Sequence, residues 1–145
     1  MATLRDIMTK DPVTVRADDS AQKAAGLMKD NHVGPIPVLD QERKLIGMVT
    51  DRDLAIKIVA EGKPADTKVS DVMSRDLFTC GPDDNVKEAI RTMETHQVRR
   101  VPVVDDQGHL LGIVAQADLA TKTQKPERVA KTVESISQAS EAESR

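Results

Sequence analysis

Asp6-Ile7-Met8-Thr9-Lys10-Asp11 returns later in the chain as Asp71-Val72-Met73-Ser74-Arg75-Asp76, and this pair of hexapeptides decides the fold. The offset, 71 less 6, is 65 residues, and it persists. It pairs Thr14 with Thr79, Asp18-Asp19 with Asp83-Asp84, and Ala24 with Ala89. It continues through Met28 and Met93, Val33 and Val98, Pro37-Val38 and Pro102-Val103, and Asp40 and Asp105. It closes with Leu45 and Leu110, Gly47 and Gly112, Val49 and Val114, and Asp53-Leu54-Ala55 and Asp118-Leu119-Ala120. No gap interrupts the match, so the chain is an internal duplication.

Each copy reads as strand, helix, strand, strand, helix, a mixed α/β (α+β) pattern. Val13-Thr14-Val15 is a short apolar run before the polar turn at Ala17-Asp18-Asp19. Ser20 can cap the helix that follows, because its hydroxyl accepts a backbone N–H left unpaired in the first turn. Ala21, Ala24, Ala25 and Met28 then fall at helical spacing on one stripe, as do Val86, Ala89, Ile90 and Met93 in the second copy. Ile36-Pro37-Val38-Leu39 and Leu45-Ile46-Gly47-Met48-Val49 are apolar runs around a polar turn, which predicts a hairpin covered on one face. Its partner runs from Val101 to Val104 and from Leu110 to Val114. A second helix is expected over residues 51–61, and again over 116–123.

These readings divide the chain into repeat 1 at 4–62, a linker at 63–66, repeat 2 at 67–124, and a polar tail at 125–145. A unit of this size buries too little surface to be comfortably stable alone. The two are therefore expected to pack together about a pseudo-twofold axis. In the tail, Val129, Val133 and Ile136 could form a weak amphipathic helix, and a solvated tail is the alternative.

Composition excludes several classes of function. The chain has 145 residues, is 39% hydrophobic and 31% charged, and carries a net charge of −3, which gives it no general attraction to nucleic acid or anionic lipid. One Phe and no Trp or Tyr leave little surface on which bases could stack. No apolar run approaches the roughly 18 residues of a membrane helix. The opening residues lack the basic start and apolar stretch of a secretory signal, so a cytoplasmic location is expected. His32, His96 and His109 lack metal-ligand spacing, and Cys80 is the single cysteine, so no metal is expected. Cys80 reads as a small buried apolar residue, because a catalytic thiol needs a local base and none is visible. Asp18-Asp19 and Asp83-Asp84 open helices, where negative charge is favoured. With no nucleophile–base constellation in view, the chain reads as non-catalytic.

Ile7-Met8-Thr9, His32-Val33-Gly34-Pro35-Ile36-Pro37-Val38 and Gly47-Met48-Val49-Thr50-Asp51-Arg52-Asp53, occurring in order and repeated at one offset, resemble a tandem CBS-domain pair, or Bateman module. The resemblance covers about residues 4–123. The Thr50-Asp51-Arg52-Asp53 form is similar to small stand-alone bacterial CBS proteins of the stress and hypoxic-response type. It implies a regulatory module that binds an adenosine-containing ligand such as AMP, ADP or ATP in a cleft between the repeats. It further implies a homodimer and signalling by conformational or assembly change to a separate protein effector. No catalytic cofactor is implied.

Carried over position by position, the family's ribose- and phosphate-binding segment falls on Thr50, Arg52 and Asp53, with Asp118 as the second-copy carboxylate. In the second copy Ala115 and Ala117 replace the hydroxyl and the Arg, which puts an equivalent phosphate site in doubt. Arg99-Arg100 stand where the first copy has Gly34-Pro35, at a strand start that similar proteins turn towards ligand phosphates. The resemblance places main-chain and apolar walls for adenine at Met8, Thr9, Val13, Gly34, Pro35 and Ile36. Their counterparts are Met73, Ser74, Phe78 and Val101.

The chemistry of these residue types agrees. An ionised carboxylate accepts strong hydrogen bonds from both ribose hydroxyls, and the start of a helix favours an anion. A plainer reading stands beside it: Thr50 and Asp53 cap and charge a helix, Arg99-Arg100 are a solvated pair, and the clefts of a structural or interaction dimer are vestigial.

Overall fold

The computed structural model describes residues 2–122, and the expected tail at 125–145 lies outside them. In chain order the elements are α1 (Leu4–Ile7), β1 (Thr9–Lys10), β2 (Val15–Arg16), α2 (Ala21–Asn31), β3 (Ile36–Leu39), β4 (Leu45–Val49), α3 (Asp51–Leu54), α4 (Val86–His96), β5 (Arg100–Val104), β6 (Leu110–Ala115) and α5 (Gln116–Lys122). The strand–helix–strand–strand–helix order is thus complete in the first copy, while in the second the leading strand is reduced to a single bridge at Cys80. The strands make two three-stranded sheets, ordered β2-β3-β4 and β1-β6-β5.

Helix α2 begins where the sequence says it should. Ser20 Oγ accepts the Lys23 N–H at 3.0 Å, and the helix stops at His32, whose backbone is left-handed with φ 55°. Ala21, Ala24 and Met28 are buried, but Ala25 is exposed. At about 100° per residue, the three buried positions span one side of Ala21 while Ala25 falls on the other, so it misses the sheet. Asn85 caps α4 in the same manner, accepting the Glu88 N–H at 3.0 Å. The first strand is shorter than Val13-Thr14-Val15 suggests, because only Val15 and Arg16 find partners, parallel to Val38 and Leu39. Cys80 pairs with Val103 in the same parallel sense, 65 residues on. The second helix of repeat 1 is α-helical only through Leu54 and continues as a π-helical stretch, Ala55–Ala60.

The compact units of the structure are not the linear repeats. One unit comprises Val13–Leu77 with Gly108–Leu110; the other comprises the residues up to Pro12, Phe78–Gln107, and those from Leu111 onward. In the first unit, Ser74 bridges Met48 antiparallel, through Met48 N–H to Ser74 O at 2.9 Å and Ser74 N–H to Met48 O at 2.8 Å. In the second, Thr9 pairs antiparallel with Ile113 and Lys10 with Gly112. Thr9 and Ser74 are repeat mates, as are Met48 and Ile113. Each copy therefore lends its leading segment to the sheet formed by the other copy's hairpin.

The two cores repeat the exchange. One contains Val15, Ala24, Ile36, Val38 and Val49 together with Val69, Val72 and Met73. The other contains Cys80, Ala89, Val101, Val103 and Val114 together with Leu4, Ile7 and Met8. Two glycines make room for the lent segments. A Cβ on Gly47 would lie 2.6 Å from Met73 Sδ and 2.8 Å from Ser74 O. A Cβ on Gly112 would lie 2.6 Å from Thr9 O and 2.8 Å from Met8 Sδ.

Candidate functional site

Strand β4 ends at Val49, and Thr50 turns the chain into α3 as its N-cap. Thr50 Oγ accepts the Asp53 N–H at 3.1 Å, and Asp53 Oδ2 accepts the Thr50 N–H at 2.9 Å. This reciprocal pair is a capping box, and it fixes the Asp53 side chain against the end of the strand. Asp53 Oδ1 pairs with Lys57 Nζ at 3.4 Å, one turn along. Lys57 Nζ also donates to the main-chain oxygen of Val72 at 2.9 Å. The Asp53 side chain is 17% exposed and that of Lys57 38%.

The hairpin register brings the other predicted residues of this unit alongside. Ile36 lies opposite Val49, so Gly34 and Pro35 run beside Thr50 and Asp51. The approach is close: a Cβ on Gly34 would sit 3.1 Å from Asp51 Oδ1. Asp51 Oδ1 accepts the Arg52 N–H at 3.1 Å, and Arg52 is exposed. Val13 is half-buried against the same core. Ser74 enters through its pairing with Met48, and its Oγ accepts the Asp76 N–H at 3.3 Å. Ile36 is wholly buried, main chain included, so it packs behind the surface as a core residue and does not line an open wall as expected.

The second unit holds the repeat mates. Asp118 Oδ2 accepts the Ala115 N–H at 2.9 Å, so half of the capping box survives without a hydroxyl at position 115. The Gln116 N–H donates to Arg99 O at 2.9 Å, placing the start of α5 beside the start of β5. Arg99 is exposed and Arg100 half-buried. Thr9 is exposed in β1, while Val101, like Ile36, is wholly buried. Phe78 stacks on His96, with ring centroids 3.7 Å apart and planes 15° from parallel.

The fourteen predicted positions therefore fall into two matched sets, one per compact unit, with Ser74 and Thr9 supplied by the lent segments. Lys57 and Gln116 were not among them. Lys57 carried a legible signal, an acidic residue followed four positions later by a basic one on a helix. Gln116 Oε1 is buried without a hydrogen-bond partner among the described residues, a feature no sequence pattern announces.

The remaining chemistry is separate. Burial pushes the Cys80 thiol above its ordinary value; a hydrogen bond with Thr92 works the other way, and the charges of Asp84 and Glu88 add to the rise. Asp83 pairs with Arg5 at 3.4 Å, and Asp84 Oδ2 accepts the Gly81 N–H at 2.8 Å. With Pro82, Asp105, Asp106 and Leu111 they line a hollow of about 420 Å³ that includes none of the predicted nucleotide-site residues. Among the described residues, no group of three or more His, Cys, Asp or Glu could hold a metal ion. Nor, among them, is any helix long and apolar enough to cross a membrane.

Comparison with known proteins agrees with the duplicated architecture. The family model described as "CBS domain" matches twice, over residues 4–60 and 69–124. A CBS domain-containing protein of Bacillus subtilis, YhcV, is 42% identical over 137 residues, covering 94% of this chain and 96% of the relative. Hypoxic response protein 1 of Mycobacterium tuberculosis is 36% identical over 121 residues, 83% of this chain and 84% of that protein. Among solved structures, the CBS domain pair of protein MJ0100, in complex with 5′-methylthioadenosine and S-adenosyl-L-methionine, aligns with a TM-score of 0.72 at 29% identity, covering 83% of this chain and 94% of that one. CBSX2 in complex with AMP aligns with a TM-score of 0.74 at 27% identity, covering 83% and 95%.

Proposed function

We propose that this chain, which belongs to the CBS domain family as a tandem pair, is a non-catalytic regulatory module that binds an adenine nucleotide of the AMP, ADP or ATP class. The observation that carries this reading is the Asp53 carboxylate, held by Thr50 at the end of β4, with Gly34 packed close to the neighbouring Asp51. A carboxylate has about four acceptor directions. Thr50 N–H and Lys57 take one each, which leaves capacity for both hydroxyls of a ribose. Capping and ligand binding are thus compatible roles for one side chain. Arg52 in one unit, and Arg99 with Arg100 in the other, are the basic residues assigned to phosphate. Two structural neighbours that carry adenosine compounds support the ligand class. Occupancy is read out, in this proposal, by a separate cytoplasmic protein.

Thermal unfolding with AMP, ADP, ATP, NADH and S-adenosylmethionine tests the reading. Ligand at a hundred times its dissociation constant stabilises by about 2.7 kcal/mol, roughly 5–10 °C for a chain of this size. Asp53→Ala should weaken ribose-dependent binding more than Asp118→Ala, since the second copy lacks the neighbouring hydroxyl and Arg. Equal losses would remove the asymmetry, and no shift with any adenosine compound, checked by calorimetry, would remove the function.

One observation favours a second reading, a structural homodimer with vestigial sites. Ile56 and Val59, on the π-helical stretch, are 45% and 78% exposed, an apolar face that a second copy would cover. That reading predicts a dimer by light scattering whose dissociation constant ignores every nucleotide.

A further inference from the structure

We propose that Lys57 is a positioning residue, holding the Asp53 carboxylate for the ribose and tying it to the lent segment, so that ligand occupancy changes that segment's grip on the sheet. The inference deepens the nucleotide reading and rests on it. Its basis is that Lys57 Nζ has two partners of different kinds. One is Asp53 Oδ1 at 3.4 Å, within the same helix. The other is the main-chain oxygen of Val72 at 2.9 Å, fifteen residues away in sequence and in the segment that repeat 2 lends to this sheet. Val72 is 1% exposed and anchored in the core. Two residues on, Ser74 exchanges both backbone bonds with Met48, and Met48 leads within two residues to Thr50. The ammonium therefore closes a loop: Thr50 to Asp53 to Lys57 to Val72 to Ser74 to Met48.

Charge decides how this loop responds. The Asp53–Lys57 contact is longer than the roughly 2.7–2.9 Å of a strong charge-assisted bond, so the ammonium is held mainly by Val72. Two ribose hydroxyls donating to the carboxylate would satisfy much of its remaining acceptor strength. The carboxylate is then fixed from both sides, and a fixed Asp53 keeps the ammonium aimed at Val72 O. A filled site thus tightens the segment that carries Ser74. An empty site leaves Asp53 and Lys57 freer to shift together. A ligand moves such an equilibrium only through interactions that differ between the two states, and here the differing interaction is a named one.

The test uses the full chain with AMP as the probe, and Lys57→Met, which keeps the apolar stem and removes the charge. Lys57→Gln serves as a second neutral variant, and Lys57→Arg as the conservative rescue. Isothermal calorimetry should show AMP affinity lowered about 2–5-fold in both neutral variants, the size expected when a partly exposed ion pair that positions a ligating group is lost, and largely recovered in Lys57→Arg. Hydrogen exchange should show AMP raising protection at the Ser74 and Met48 amides in the natural chain but not in Lys57→Met. A merely structural lysine would alter protection equally with and without AMP. Unchanged affinity in the neutral variants, or equal AMP-induced protection in natural chain and Lys57→Met, overturns the inference while leaving the nucleotide site standing. If the natural chain binds no adenosine compound, the function itself fails, and the positioning role falls with it.

Discussion

Placing a methyl group at position 47 tests the lent-segment architecture most directly. Gly47→Ala would put its Cβ 2.6 Å from Met73 Sδ, 2.8 Å from Ser74 O and 3.1 Å from Met73 Cγ, where ordinary contact begins at 3.4 Å. The backbone at Gly47 is not among the positive-φ positions, so the effect is steric rather than conformational. Met73 is a flexible side chain and can swing aside. The Ser74 oxygen cannot do so cheaply, because it accepts the Met48 N–H at 2.9 Å while the Ser74 N–H is bonded to Met48 O at 2.8 Å. Moving it by about half an ångström stretches both. Each backbone bond contributes about 0.5–1.5 kcal/mol net, and overpacking in a closed core costs roughly 1–3 kcal/mol. The expected loss is therefore about 2–4 kcal/mol, a large share of the roughly 5–15 kcal/mol of an ordinary domain. Urea unfolding followed by circular dichroism measures it, with Gly26→Ala as the matched control. Gly26 lies inside α2 with nothing within 4 Å of an added Cβ, so alanine there should stabilise by about 0.5–1 kcal/mol. Gly112→Ala, which meets Thr9 O at 2.6 Å, should lose as much as Gly47→Ala. A loss below about 1 kcal/mol at position 47, or an equal loss at position 26, would refute the argument.

Four other outcomes are expected. Ala115→Thr completes the capping box that Asp118 already half forms, and should raise stability by about 0.5–1 kcal/mol in the same urea assay; a loss would show that position 115 has no room for the hydroxyl. Cys80 is buried with its thiol raised by desolvation, so iodoacetamide at pH 8 should label the unfolded chain far faster than the folded one, and equal rates would refute the burial. Because the folded value lies above the unfolded one, this thiol's contribution to stability is complete below the ordinary thiol range and is lost as pH rises through the folded value; stability that is flat across that alkaline range would count against it. A fragment covering Val13–Leu77, almost the whole of one compact unit, should retain more cooperative thermal unfolding than a fragment covering 4–62, which lacks Val69, Val72 and Met73 from its core; the reverse order would refute the exchange.

Much of the fold was legible because duplication doubles every signal. The Ser20 cap, the α2 and α4 stripes and both hairpins were readable, since each rests on contacts within some fifteen residues of chain. What the sequence hid was long-range. Nothing in Ile7-Met8-Thr9 says whether it joins the hairpin of its own copy or the other, because the two hairpins present the same edge to it. The exposure of Ala25 was equally hidden, since four apolar positions describe a stripe but not which of its borders meets the sheet. At the candidate site, the residue types of Thr50 and Asp53 were readable and their mutual capping was weighed as an alternative. Lys57's reach to Val72 O was not, because that partner belongs to a segment whose destination the pattern leaves open.

The two copies have diverged in one place and stayed alike in another, and the contrast follows from the exchange. Gly47 and Gly112 face Met73 and Met8 across nearly the same gap, and Ser74 and Thr9 occupy the same register on opposite sheets. Each of these positions serves the sheet of one copy with material from the other, so a change on either side leaves its partner misfitted. The polar residues at the start of the second helix have no such constraint. Ala115 and Ala117 stand where the first copy has Thr50 and Arg52, yet the carboxylate keeps its bond to the strand end, since Asp118 accepts the Ala115 N–H. The scaffold thus tolerates different residues at its two helix starts on one duplicated frame. Unequal affinities at Asp53 and Asp118 are what that freedom predicts, whereas unequal responses at Gly47 and Gly112 would contradict it.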